Sequence, residues 1–114
     1  MSPITTHVLD TAHGHPAAGV RVTLAHISAS GEIRAVGGGT TDSDGRLREL
    51  WPKGVDFETG TYRLRFETGA YFTAIGVTAF HPAVEVVFTV RDLAQHYHVP
   101  VLLSPFGYIT YRGS

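Results

Sequence analysis

The sequence predicts an all-β protein, an antiparallel β-sandwich of seven or eight strands with one short helix. Two observations predict it. Apolar and polar residues alternate with a period of two through several short segments, the pattern of half-buried strands. Between those segments lie clusters rich in glycine, proline, aspartate and serine: HGHPAAG, SASG, TDSDG, PKGVDFETG and SPFG, each with turn chemistry. Short strands separated by turns at this spacing read as two packed antiparallel sheets.

The elements follow in order. Ile4–Asp10 (ITTHVLD) opens the series, with Thr5, His7 and Leu9 on one face and Thr6, Val8 and Asp10 on the other. Val20, Val22 and Leu24 alternate with Arg21 and Thr23, and Gly31–Val36 is a further strand candidate. The glycines at 37–39 invite a phosphate-loop reading, but no helix follows to supply an N-terminus, so they are expected to form a flexible connection or a bulge. Tyr62, Leu64 and Phe66 alternate with Arg63, Arg65 and Glu67. Thr68–Val77 (TGAYFTAIGV) breaks the alternation, with small and aromatic residues at helical spacing, and is the expected helix. Val84, Val86, Phe88 and Val90 alternate with Glu85, Thr89 and Arg91, and His96–Leu103 and Tyr108–Arg112 complete the set.

Composition narrows the function classes. At 114 residues the chain suits one domain, residues 1–114, that buries roughly two thirds of its unfolded surface. Nine Lys and Arg against ten Asp and Glu, scattered singly, give a net charge of -1 and no basic field for nucleic acid or an anionic membrane. With no cysteine there is no disulfide, thiolate metal site or Cys nucleophile. No apolar stretch nears the roughly 18 residues of a membrane span. No charged start precedes an apolar signal core, and the end is not an SKL-type address, so a cytoplasmic location is expected.

Seven histidines are the first anomaly, two of them in His96-Tyr97-His98. On a strand, His96, His98 and Pro100 share a face and Tyr97, Val99 and Val101 the other; with the valines in the core, the histidines face outward. Read alone, such a pair is two solvated histidines. A zinc site would need a third ligand, for which His7 is available, but no carboxylate cluster supports it; acid/base use ranks above metal. His7 shares a surface with His98 if their strands are neighbours. Arg46 follows TDSDG in a tight turn and reads by itself as a solvated arginine. The DxDG there also matches the opening of a calcium loop, but Arg46 stands where an oxygen ligand belongs and Gly45 comes two residues early, so calcium is rejected. Ser114 has no evident base nearby in sequence, which argues against a terminal serine nucleophile. Termini usually fray; a chain that runs through Tyr111, Arg112, Gly113 and Ser114 straight off a strand is expected to have that end held and used.

ITTHVLDTAHGHPAAGVRVTL, TTDSDGR and HYHVPVLLSPFGYITYRGS, in this order, resemble the 5-hydroxyisourate hydrolases, the transthyretin-like enzymes of urate breakdown. The terminal YRGS discriminates most, since transthyretin, a hormone carrier on the same fold, lacks it. The resemblance implies a transthyretin-like sandwich, a homotetramer built as a dimer of dimers, and hydrolysis of 5-hydroxyisourate without a cofactor. It assigns catalytic roles to His7, Arg46, His98 and Ser114 and substrate binding to Tyr111, Arg112 and Gly113. His98 is preferred as the base and His7 as the polarising group, an assignment the sequence leaves open. Two positions depart from the family pattern: Ile109, where serine is common, and His81, where FHP more often reads FFP. Because fold alone does not decide function, a non-catalytic small-ligand carrier and a zinc hydrolase using His7, His96 and His98 stand as the competing readings.

Overall fold

A computed structural model describes residues 2–114. Its strands are β1 (Ile4–Asp10), β2 (His15–Pro16), β3 (Arg21–Ile27), β4 (Ile33–Thr40), β5 (Arg46–Leu47), β6 (Gly60–Phe66), β7 (Val84–Val90), β8 (Tyr97–Leu103) and β9 (Tyr108–Thr110), with helix α1 (Thr68–Ala74) between β6 and β7. Seven of these strands are three residues or longer, as the alternation predicts. One sheet has the order β2-β1-β8-β9, with β5 pairing to β1; the other has the order β4-β3-β6-β7.

The core lies between the sheets and is filled by the residues that alternation assigns to it. Ile4 and Val8 of β1 and Tyr97, Val99 and Val101 of β8 face Val22, Leu24, Tyr62, Leu64, Phe66, Val84 and Val86 of the second sheet. Burying each such side chain contributes about 1.5–3 kcal/mol, and a slip of one residue would turn a whole row to solvent, so burial fixes each register. Helix α1 closes one end with Tyr71 and Phe72 buried. It is shorter than the expected Thr68–Val77, because Ile75 and Gly76 turn back onto the carbonyls of Phe72 and Thr73.

Three differences from the sequence reading bear on the site. First, the sandwich is not wholly antiparallel: β1 and β8 run parallel, pairing Thr5 with His98 and His7 with Pro100. Alternation reports which face a residue occupies but carries no information on strand direction. Second, Gly37–Gly39 form no loose connection; they pair with Val22–Leu24 inside β4, and the expected bulge appears as a register shift between Leu24 and Ala25. Third, the last strand ends at Thr110 rather than Arg112. Continuing its register would set Tyr111 opposite Pro100, which has no N–H to give, and the same register resumes where the Gly113 amide donates to the His98 carbonyl at 2.9 Å.

Candidate active site

The outward face of the β1/β8 pair carries Thr5 and His7 from one strand and His98 from the other, with His96 just before β8. The parallel register decides their spacing. Thr5 lies directly beside His98, while His7 lies two residues further along, roughly 7 Å by strand rise. His7 and His98 therefore share a surface without touching.

Arg46 is delivered to this face by the turn after β4. The Asp42 carboxylate accepts the backbone N–H groups of Asp44 and Arg46, both at 2.9 Å, and the Gly45 amide donates to the Asp42 carbonyl at 2.9 Å. The Arg46 amide is the main influence holding the Asp42 carboxyl below its usual range. Gly45 has φ +73°, and a Cβ there would meet the Val8 carbonyl oxygen at 2.3 Å, so this turn requires glycine. The turn then docks on β1: the Val8 amide donates to the Gly45 carbonyl at 2.7 Å, and Arg46 pairs with His7.

Together these elements frame an open hollow of about 260 Å³. His98, Arg46 and Ser114 line it, as the sequence reading expects of a shared site, and so do Thr5, Thr6, Arg48 and His96. Arg48 and Thr5 were legible as face-mates of Arg46 and His7, two residues away in each case, but no motif singles them out. His7 flanks the hollow. Its Nε2–H donates to the Asp44 carbonyl at 2.9 Å, and Nδ1 has no hydrogen-bond partner among the described residues.

His98 has the opposite arrangement. Its Nδ1 lies 2.8 Å from the Thr5 hydroxyl, and Nε2 has no hydrogen-bond partner among the described residues. Burial, then the positive charge of Arg46 and the nearby His96 and His7, hold its pKa below the usual imidazole value. The shift favours the neutral imidazole, the form able to accept a proton.

The terminal residues divide. Gly113 is held against His98 by its backbone bridge. Tyr111 and Arg112 do not reach the hollow of Arg46 and Ser114; they line a second one of about 380 Å³ on the other flank of His98, with Val86, Phe88 and Arg91. The Arg112 guanidinium donates to Gln95 Oε1 at 2.7 Å and lies 4.6 Å from the centre of the Tyr97 ring, so it clamps the chain end to β8. The inward nitrogens of His96 and His98 both turn to Thr5, and among the described residues no group of three or more His, Asp or Glu is arranged to hold a metal ion.

Residues 4–113 match the family model described as HIUase/Transthyretin family. The chain belongs to this family. It is 47% identical over 117 residues to 5-hydroxyisourate hydrolase 2 of Rhizobium meliloti, covering 97% of this chain and 95% of the relative. Sea bream transthyretin in complex with thyroxine superposes with a TM-score of 0.91 at 35% identity, over 98% of this chain and 95% of the other. The 5-hydroxyisourate hydrolase of Klebsiella pneumoniae gives 0.83 at 32% identity, over 97% and 98%. A transthyretin bound to thyroxine and a 5-hydroxyisourate hydrolase thus both superpose on this backbone, so the fold alone does not separate them.

Proposed function

We propose that the protein hydrolyses 5-hydroxyisourate, opening the six-membered ring at the N1–C6 amide to give 2-oxo-4-hydroxy-4-carboxy-5-ureidoimidazoline. The observation that carries this reading is that His98, whose Nε2 has no hydrogen-bond partner among the described residues, lines the same hollow as Arg46. His98 takes a proton from water as its oxygen bonds to C6, and Arg46 offers a planar, permanently charged fork to the negative charge that develops on the C6 oxygen. Collapse of that adduct breaks C6–N1 as protonated His98 returns its proton to N1, and the ring opens to a ureido group and a carboxylic acid that ionises to the carboxylate. A positioned base contributes about 10²–10⁴ in rate. His7 orients substrate or water through Nδ1, and Arg48, ion-paired with Asp42 at 3.4 Å, adds a second cation to the lining of the hollow.

The carrier reading has a like backbone in its favour, but a carrier has no use for a proton acceptor beside a guanidinium. The assembly consistent with the family is a homotetramer. Among the edge strands of the two sheets, β7 and β9 carry Val87 (59% exposed) and Ile109 (64% exposed) as unsupported apolar side chains. Ultraviolet decay of 5-hydroxyisourate, made freshly from urate, tests the function: the full chain should accelerate it, insensitively to a chelator, and a variant lacking Tyr111–Ser114 should not. Loss of activity in chelator would favour a zinc hydrolase; no acceleration at all would favour the carrier.

A further inference from the structure

Thr5 and His96 are not used by the reaction just described, yet the Thr5 hydroxyl is hydrogen-bonded to two histidines of this face. Thr5 is only 3% exposed and sits beside His98 in the β1/β8 register. Its Oγ1 lies 2.8 Å from His98 Nδ1 and 2.9 Å from His96 Nε2.

A hydroxyl has one proton, so between two neutral imidazoles it donates to one and accepts from the other. Two arrangements follow. In the first, His98 Nδ1–H donates to Thr5, the Thr5 O–H donates to His96 Nε2, and His98 Nε2 holds a lone pair. In the second every proton is reversed, and Nε2 of His98 carries a hydrogen and can accept none. The Arg46 guanidinium shares the hollow with His98. A neighbouring cation favours a lone pair over an N–H on the nitrogen open to it. The first arrangement is thereby selected.

We propose that Thr5, backed by His96, is a positioning residue that holds His98 in its Nδ1–H tautomer, so that Nε2 is the atom able to take the proton from water. The parallel pairing of β1 and β8 is what brings this about, since it sets a threonine rather than His7 beside the imidazole. The kinetic part of this proposal rests on the hydrolysis reading; the tautomer does not.

The test uses the full chain labelled with ¹⁵N-histidine, with long-range ¹H–¹⁵N spectra at neutral pH beside the decay assay. Wild-type His98 should show a protonated Nδ1 and a bare Nε2. Thr5→Val, which keeps the shape and removes the hydroxyl, should lose that tautomer preference and lower kcat by about tenfold or more, with KM within about twofold. Thr5→Ser should restore both. Should Thr5→Val fail to fold, His96→Phe, which removes the acceptor behind Thr5, should weaken the same preference. A wild-type His98 protonated at Nε2, a Thr5→Val protein with unchanged tautomer and kcat, or a Thr5→Ser protein as impaired as Thr5→Val would each overturn the proposal. If the wild-type protein did not accelerate the decay, the hydrolysis reading would fall, and the spectra would still decide whether Thr5 sets the tautomer.

Discussion

Gly113 and His98 are packed so closely that no side chain fits between them. The Gly113 amide donates to the His98 carbonyl at 2.9 Å, and a Cβ on Gly113 would lie 2.7 Å from Cδ2 of the imidazole and 3.0 Å from Cγ of Pro100. The chain end therefore acts as a wall that fixes the ring from one side while Thr5 holds it from the other. Gly113→Ala should turn or displace the imidazole and lower kcat by roughly 10- to 100-fold, since about 1 Å of misplacement has effects of that size. Thermal unfolding, by contrast, should move little, because the contact lies at the surface. Kinetics and calorimetry on one preparation check both halves.

Arg46 has two separable effects, on charge and on shape. The pKa of His98 is lowered first by burial and then by the Arg46 charge. Arg46→Gln removes that charge, so the His98 pKa should rise and the acid limb of kcat/KM should move to higher pH. Arg46→Lys keeps the charge and should leave the limb in place, yet lower turnover more than tenfold by losing the planar fork. Rate against pH for the two variants is the measurement.

Asp10 anchors the far end of β1. It is 1% exposed; burial pushes its carboxyl pKa up, but the Tyr71 hydroxyl at 2.8 Å and His13 at 2.7 Å donate to it and bring it to a net value below the usual carboxylate range. A depressed folded pKa means this stabilisation is present above the unfolded pKa and is lost as pH falls below it. Tyr71→Phe should cost about 1–2 kcal/mol at neutral pH and less in acid. Denaturant midpoints at several pH values check this.

Ile109 tests the assembly. Its 64% exposure in one chain places an apolar side chain on the open β9 edge. Ile109→Glu should shift sedimentation from a tetramer toward smaller species at micromolar concentration, whereas the wild-type chain should sediment as a tetramer.

The strands were legible because each buries one face, and period two is a local property of sequence. Strand direction was not: nothing in ITTHVLD or HYHVPVL states that they run parallel, and that register alone puts Thr5, rather than His7, beside His98. His98, Arg46 and Ser114 were found through their motifs and do meet at one hollow. The motif also included Arg112, whose reach depends on where the chain leaves β9, a turn dictated by Pro100 across the sheet. Arg48 and Thr5 went unseen as site residues because an arginine after a turn and a threonine on a strand have ordinary uses.

The most direct test of the central claim is the decay rate of fresh 5-hydroxyisourate with the wild-type chain and with His98→Ala, each confirmed as folded. The account predicts strong acceleration by the wild type, and turnover lowered more than tenfold in the variant while the assembly persists. Near-normal turnover in His98→Ala would contradict the account, because the proton would then be taken by a group other than the imidazole around which this site is arranged.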